Sequence, residues 1–179
     1  MITVGRLGTK QKNNEMLLEA LEKIELGEWK ILLIGPYTKE FYNLYIEFIK
    51  KYPEKKEKVI LIGNIDNKNL LYDYYNRAKV FILTSRWEGS AIIFPEALTF
   101  CDYIITTDVG GAKEITKESR IGKVIKNNDI SNLKNEVQKV INNQIELEKK
   151  YNQSSEFAKD FSWNKLVKNE EFKIFFKGL

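Results

Sequence analysis

Histidine is absent from the 179 residues of this chain, and cysteine occurs once, at Cys101. The absence of histidine excludes, within this chain, catalytic triads and metal sites that depend on an imidazole. A single cysteine cannot form an internal disulfide, which agrees with a reducing compartment. Because Cys101 lies in an apolar context and has no base to activate it, we interpret it as a small buried hydrophobic residue.

Long apolar runs are also absent, since no stretch reaches the roughly 18–20 residues of a membrane-spanning helix. Neither charge sign dominates: 29 Lys and Arg stand against 25 Asp and Glu, for a net charge of +4. The excess is spread along the chain, whereas nucleic-acid-binding proteins more often concentrate it in one stripe. We therefore expect no nucleic-acid partner, and a mixed surface that is compatible with a bound diphosphate. A hydrophobic fraction of 43% argues for a folded domain rather than disorder.

Short apolar runs alternate with longer stretches of helical spacing. Strands are predicted at residues 2–4, 29–34, 59–62, 80–84, 103–107 and 122–125. Helices are predicted at residues 13–24, 41–52, 70–77, 92–100 and 131–142, and the rest of the chain is predicted to be helical with a break at 161–163. The lysine-rich stretch 50–58 is predicted to be an exposed loop. This alternation predicts an α/β fold: a Rossmann-like parallel sheet of about six strands with helices on both faces, plus C-terminal helices. Ligands of such sheets bind beyond the carboxyl ends of the strands.

The loop after the first strand is rich in glycine and basic residues. It contains Gly5, Arg6, Gly8, Lys10 and Lys12, directly before a predicted helix. Glycine permits close backbone approach, a helix N-terminus attracts anions, and arginine and lysine bind phosphate oxygens. These features together predict that the loop holds a diphosphate without a metal. An ordinary polar loop with a glycine turn is the alternative, because the segment matches neither a Walker loop nor a Gly-x-Gly-x-x-Gly motif.

Two glutamates, Glu88 and Glu96, follow the fourth strand. Two helical turns rise about 11 Å, so the two carboxylates reach different parts of a ligand, and carboxylates accept hydrogen bonds from sugar hydroxyls. Glu96 stands among apolar residues, so we expect it to be partly buried and to need a partner, with Pro95 in the first turn of the helix. A charged helix face is the alternative. Trp87 either lines a sugar pocket or caps the core.

Glycines also mark the ends of two further strands. Gly63 precedes Asn64 and Ile65 after the third strand, and Gly110 and Gly111 follow the fifth. Each glycine permits backbone contact with a ligand, although a tight turn explains each of them equally well. All four marked loops follow strands and are therefore expected to converge on one crevice.

In these loops and strands the chain resembles the C-terminal, donor-binding domain of family 4 glycosyltransferases, which have the two-domain GT-B fold. The resemblance runs from Val4 to about Phe176. It rests on six segments in order: Val4-Gly5-Arg6-Leu7 with Lys12-Asn13, Gly63-Asn64-Ile65, residues 78–85, Glu88-Gly89 with Glu96-Ala97-Leu98, Thr107-Asp108-Val109-Gly110-Gly111, and Phe161-Ser162-Trp163. It implies a retaining, metal-free transfer of a sugar from a nucleotide sugar, most readily a UDP-sugar, in bacterial polysaccharide biosynthesis.

The resemblance also implies roles for individual residues. Arg6 and Lys12 match positions that hold the donor diphosphate and stabilise the leaving group. Glu88 matches the position near the donor sugar hydroxyls, and it is counted with Arg6 and Lys12 as catalytic. Glu96 matches the position that binds the ribose hydroxyls. Backbone groups are expected to contact the donor at Gly5, Ile65, Gly89, Ser90, Ala91 and Ile92. Of these, Ile65 is expected to contact the base. Many members have Phe-Gly where this chain has Ser90-Ala91.

The resemblance divides the chain into a nucleotide-sugar-binding domain at residues 1–150 and a helical segment at 151–179. That segment would cross toward an N-terminal acceptor domain that is missing from this chain, and without which the domain is expected to be inactive. The expected location is the cytoplasm, at the inner face of the membrane if the missing domain makes peripheral contact there. Two other functions stay open: a non-catalytic nucleotide-binding or scaffolding module, and half of a GT-B sugar-nucleotide epimerase.

Overall fold

The structure, a computed structural model, describes residues 1–88, 93–100, 103–117 and 120–158. The strands are β1 (Ile2–Val4), β2 (Ile31–Ile34), β3 (Val59–Gly63), β4 (Val80–Leu83), β5 (Tyr103–Thr107) and β6 (Gly122–Ile125). The helices are α1 (Asn14–Leu21), α2 (Lys39–Lys51), α3 (Lys68–Arg77), α4 (Ile93–Phe100), α5 (Ala112–Ile115), α6 (Ile130–Ile141) and α7 (Leu147–Ala158), with a 3₁₀ turn at Pro53–Lys55.

The six strands form one parallel sheet in the order β3-β2-β1-β4-β5-β6. Ile2 of β1 pairs with Leu32 on one side and with Phe81 on the other. The chain therefore builds outward from β1 to β3 and then returns to lay β4 on the opposite side of β1. This reversal places a topological switch point between β1 and β4, the position at which open α/β sheets bind ligands beyond the carboxyl ends of their strands. The predicted fold class is confirmed.

The sheet is buried on both faces because successive side chains of each strand point in opposite directions. In β4, Val80 and Ile82 belong to the apolar core beneath α1, α2 and α6. Phe81 and Leu83 belong to the second core, beneath α3, α4 and α5. All four residues of β4 are buried, so its sequence is a continuous apolar run, and that run is the pattern that predicted the strand.

Several element boundaries differ from the predictions. Helix α1 starts after Asn13, whose φ of 48° is left-handed and cannot belong to a right-handed helix, and it ends three residues early at Leu21. Helix α2 starts two residues early because the Thr38 hydroxyl accepts a hydrogen bond from the Phe41 backbone N–H and caps the helix. Strand β2 starts at Ile31 rather than at residue 29. The four-residue helix α5 was not predicted.

Residues 50–58 are mostly exposed, as predicted, but the stretch is partly helical rather than a loop, and one of its lysines is buried. Helix α2 runs to Lys51, the 3₁₀ turn follows, and Lys55 is only 4% exposed. The Lys55 ammonium donates hydrogen bonds to the carbonyls of Leu21 (2.6 Å) and Glu22 (2.7 Å), and it lies 4.6 Å from the centre of the Tyr52 ring. The lysine thus caps the carboxyl end of α1, where cations are favoured. Burial lowers the pKa of Lys55, partly offset by nearby glutamates.

The predicted boundary between residues 150 and 151 falls inside α7, and the division into two parts stays a prediction. Cys101, the predicted helix break at 161–163 and the rest of the chain beyond residue 158 lie outside the described residues. Among the residues that the structure describes, no helix is long and apolar enough to cross a membrane.

Candidate functional site

The loops that follow β1 and β4 are joined by hydrogen bonds at the switch point. The Arg86 backbone N–H donates to the carbonyl of Gln11 at 2.7 Å, and the Thr84 hydroxyl donates to the carbonyl of Lys12 at 3.0 Å. The Arg86 guanidinium donates to the carbonyl of Lys10 at 2.7 Å and to the carboxylate of Glu15 at 3.2 Å. Residues far apart in sequence therefore form one structural unit at the carboxyl edge of the sheet.

Lys12 and Glu88 meet within this unit. The Lys12 ammonium donates to Glu88 Oε1 at 2.8 Å, and the two side chains are only 13% and 7% exposed. The structure thus brings together two residues that the sequence assigned to different parts of a donor. A pair with so little exposure is screened less by salt than a surface ion pair, and breaking it requires a replacement partner for each charge.

Gly5 explains how Lys12 reaches its position. Its φ of 151° lies in the region that favours glycine, and a Cβ at Gly5 would lie 3.2 Å from Lys12 Cε. The alkyl chain of Lys12 therefore runs directly over the Gly5 backbone. Gly35, after β2, packs still more tightly, because a Cβ there would lie 1.9 Å from the Gly5 carbonyl oxygen. A side chain at Gly35 would displace the loop that carries Lys12.

Gln11 is a site residue that sequence reasoning missed. Its side-chain amide donates to the carbonyl of Trp87 at 3.1 Å and to Glu88 Oε2 at 3.3 Å. Arg86 was missed as well, although it connects the same two loops. The basic composition of the loop indicates Lys10 and Lys12 as candidates, but not Gln11. No local pattern indicates that a glutamine contacts a carboxylate 77 positions away.

Trp87 is 51% exposed, so the alternative that it caps the core is wrong. Its backbone carbonyl faces Gln11, while its ring lies largely in solvent at the edge of the site. That Trp87 lines a sugar pocket stays a prediction.

Arg6 and Ile65 lie on loops of the same edge, after β1 and β3, with the loop after β2 between them. Arg6 is exposed, and its backbone carbonyl accepts a hydrogen bond from the Thr9 hydroxyl at 3.1 Å. Ile65 is half-buried and packs against the apolar core on the α3 and α4 side. Gly63 has a φ of 83°, and its backbone carbonyl accepts a hydrogen bond from the Gly35 N–H at 2.8 Å. The ends of β2 and β3 are thereby held side by side.

Glu96 lies in the first turn of α4 and is half-buried, as expected from its apolar neighbours. Burial raises the pKa of Glu96, and the positive charge of Lys68 opposes that shift. Pro95 is the third residue of α4, which agrees with the predicted start of the helix. The expected backbone contacts at Gly89, Ser90, Ala91 and Ile92 lie outside the described residues.

The described residues contain no group of three or more His, Cys, Asp or Glu side chains that could hold a metal ion. A groove of about 640 Å³ lies at the opposite, amino-terminal edge of the sheet, where Trp29, Leu32, Ile60 and Tyr74 contribute to its lining. Parallel sheets bind ligands at their carboxyl ends, and the buried ion pair is at that end. We therefore assign the candidate site to the loops after β1 and β4 rather than to this groove.

Comparison with known proteins agrees with this fold. The family model described as glycosyl transferases group 1 matches residues 1–160. An uncharacterized glycosyltransferase of Methanocaldococcus jannaschii is 26% identical over 158 residues, which cover 88% of this chain and 42% of that protein.

Two solved structures share the fold. The apo form of the lipopolysaccharide outer core galactosyltransferase WaaB superposes with a TM-score of 0.79 at 21% identity, over 98% of this chain and 48% of that one. Anabaena HepE, solved in complex with UDP, gives a TM-score of 0.75 at 16% identity, over 99% and 49%. The chain thus spans less than half the length of each of these three proteins, and its sheet corresponds to a domain of the GT-B fold.

Proposed function

We propose that this chain, which belongs to the glycosyl transferases group 1 family, is the part of a glycosyltransferase that binds the nucleotide-sugar donor. The observation that carries the proposal is the buried ion pair between Lys12 and Glu88, 2.8 Å long, at the carboxyl ends of β1 and β4. These strands flank the switch point, which is where open α/β sheets bind nucleotides. The pair matches the two chemical parts of a nucleotide sugar, because an ammonium can bind the diphosphate and a carboxylate can bind the sugar hydroxyls.

The diphosphate is assigned to Lys12 and Arg6. Lys12 lies on the loop after β1, paired with Glu88, and Arg6 is exposed on the same loop. A diphosphate replaces Glu88 as the partner of Lys12, because phosphate oxygens offer an ammonium a stronger negative field than one carboxylate does. The displaced Glu88 carboxylate then accepts hydrogen bonds from the hydroxyls of the donor sugar. The ligand therefore satisfies both members of the pair it separates.

The nucleoside is assigned to the neighbouring loops. Glu96 in the first turn of α4 accepts hydrogen bonds from the ribose hydroxyls, which relieves the cost of its partial burial. Backbone groups near Gly5 and Ile65 face the donor, the latter toward the base. UDP is the favoured nucleotide, since HepE, which shares the fold, was solved in complex with UDP.

The proposed reaction is a metal-free transfer with retention of configuration, as in family 4. Negative charge develops on the departing nucleoside diphosphate, and the cations of Arg6 and Lys12 stabilise that charge more in the transition state than in the ground state. The names of the relatives, which include a lipopolysaccharide galactosyltransferase, favour a role in surface polysaccharide synthesis. The acceptor is assigned to the part of such an enzyme that this chain does not cover.

Charge reversal at Arg6 tests the diphosphate assignment. In calorimetric titrations, Arg6→Glu should weaken binding of UDP and GDP far more than binding of uridine and guanosine. Lys56→Glu is the matched control, because it makes the same change in net charge at an exposed position distant from the crevice. Equal weakening for nucleotide and nucleoside, or no nucleotide binding by the folded wild-type chain, would contradict the proposal. A scaffolding module would bind none of these ligands.

A further inference from the structure

We propose that Gln11 is a positioning residue that keeps the Glu88 carboxylate directed at the donor sugar after Lys12 has moved to the diphosphate. The inference rests on the proposed function and deepens it. It assigns to the neutral Gln11 side chain a role that begins once the diphosphate has replaced Glu88 as the partner of Lys12. The family resemblance assigned no role to Gln11.

The two oxygens of Glu88 have different partners. Oε1 accepts from the Lys12 ammonium at 2.8 Å, and Oε2 accepts from the Gln11 amide at 3.3 Å. Lys12 and Gln11 are consecutive in the chain, so a single loop supplies a hydrogen-bond donor to each oxygen of the carboxylate. The shorter, charged contact is the one that a diphosphate removes, and the longer, neutral contact is the one that remains.

Gln11 is fixed independently of the carboxylate. Its Nε2 also donates to the carbonyl of Trp87 at 3.1 Å, and its own backbone carbonyl accepts from the Arg86 N–H at 2.7 Å. An amide nitrogen has two hydrogens, so it serves the Trp87 carbonyl and Glu88 Oε2 at the same time. The amide therefore keeps its orientation when Lys12 leaves, because neither the Trp87 carbonyl nor the Arg86 N–H depends on Lys12.

A neutral donor suits this position for an electrostatic reason. Glu88 is 7% exposed, and a carboxylate so buried needs a hydrogen-bond donor once its cation is gone. A second cation at residue 11 would retain Glu88 in an ion pair and compete with the sugar hydroxyls. A carboxylate there would repel Glu88. Glutamine satisfies one oxygen while leaving the other oxygen for the sugar.

The proposal predicts an effect on the sugar and not on the nucleotide. Gln11→Met keeps the length of the side chain but removes its hydrogen bonds. We expect it to change the affinity for UDP by less than about twofold, and to reduce the extra affinity for a UDP-sugar over UDP by roughly tenfold, the value of a hydrogen bond to a charged group. Gln11→Glu should reduce that extra affinity at least as far.

The experiment is calorimetry on the 179-residue chain with UDP, UDP-glucose and UDP-galactose, and with GDP and GDP-mannose in parallel. The ratio of the dissociation constants of nucleotide and nucleotide sugar is compared between wild type, Gln11→Met and the matched control Gln144→Met, which makes the same change at an exposed glutamine after α6, with melting temperatures recorded for all three. A lower ratio in Gln11→Met alone, at an unchanged melting temperature, supports the proposal.

Three results would overturn it. An unchanged ratio in Gln11→Met, or an equal loss for nucleotide and nucleotide sugar, would show that Gln11 does not act through Glu88. A wild-type ratio near one for every sugar would show that Glu88 does not face a donor sugar, while UDP or GDP binding itself would preserve the diphosphate assignment. Absence of all nucleotide binding by the folded wild type would remove the proposed function as well.

Discussion

Two lysines of this chain are withdrawn from water, and they are held in different ways. Lys55 donates to two main-chain carbonyls at the end of α1 and lies over an aromatic ring. Lys12 pairs with one carboxylate, Glu88, which belongs to a loop after another strand. The partners of Lys55 are fixed parts of a helix that no ligand can replace. The partner of Lys12 is a side chain that an incoming anion can displace.

Under the proposed function, Lys55 is a structural cation and Lys12 is a cation that binds the donor. Lys55 satisfies carbonyls that α1 leaves without intrahelical partners, and so contributes to stability. Lys12 and Glu88 lie at the switch point of the sheet, where the proposed function gives each a partner in a nucleotide sugar. Burial alone therefore does not distinguish the two lysines, whereas the nature of the partner and the position at a strand end do.

The largest expected effect is the loss of stability in Lys55→Met. The substitution keeps most of the side-chain volume but leaves the carbonyls of Leu21 and Glu22 without their charged donor, at a cost of about 3 kcal/mol in the free energy of unfolding. Denaturant titration measures it, with the exposed neighbour substitution Lys56→Met as control. The affinity of the folded variant for UDP should not change. A large loss of affinity would contradict a purely structural role for Lys55.

Lys12→Met should show the reverse pattern. Loss of a cation that contacts the diphosphate is expected to weaken UDP binding by about 2 kcal/mol, or roughly thirtyfold. The free energy of unfolding should fall by less than in Lys55→Met, because the partner left behind, Glu88, retains Gln11. Calorimetry and denaturant titration on the same preparation compare the two quantities. Full UDP affinity in Lys12→Met would remove Lys12 from the binding site.

A smaller effect, of opposite sign, is expected for Glu88→Gln. In the ligand-free chain, Lys12 must break its ion pair before it binds a diphosphate. Because desolvation offsets most of the attraction within a buried pair, neutralising Glu88 should strengthen UDP binding only modestly, by about threefold. The same substitution should weaken the extra affinity for a UDP-sugar. Competition calorimetry resolves both changes. Weaker UDP binding in this variant would mean that Glu88 supports the diphosphate rather than yielding to it.

The smallest effect concerns Glu96. Burial raises the pKa of Glu96 above its ordinary value of 4.5 in the folded chain. The folded state therefore binds more protons than the unfolded state, and stability falls as the pH rises from 4.5 through the raised pKa. Glu96→Gln should thus be slightly more stable than wild type near neutral pH, and the difference should vanish below pH 4.5. Unfolding curves at pH 4 and pH 7 test the sign, and the same variant should bind uridine and UDP more weakly.

The fold was largely predictable from the sequence because its strands are buried on both faces. Runs such as Val80 to Leu83 are apolar without interruption, and glycines follow several of them. The strand count and the helices on both faces follow from that pattern. Boundaries were less predictable, since they depend on single contacts such as the Thr38 cap and on the left-handed conformation of Asn13.

Sequence patterns could nominate candidate site residues, but not the contacts between them. Arg6, Lys12, Glu88 and Glu96 follow strands or open helices, and strand ends are where such sheets bind ligands. The contact between Gln11 and Glu88 spans 77 positions and has no periodic signature. The burial of Lys55 was missed for a related reason: a lysine-rich stretch indicates exposure, and only the three-dimensional placement of α1 offers its ammonium two carbonyls.

The most direct test of the account is an amide-resolved NMR titration of the ¹⁵N-labelled chain with UDP. Donor binding at the switch point should shift the amides of Gly5, Lys12, Ile65 and Glu88, around the carboxyl ends of β1, β3 and β4, and leave those of Tyr52 and Lys55 unchanged. A folded chain that shows no shifts, or shifts confined to Trp29, Tyr74 and their neighbours at the amino-terminal groove, would contradict it.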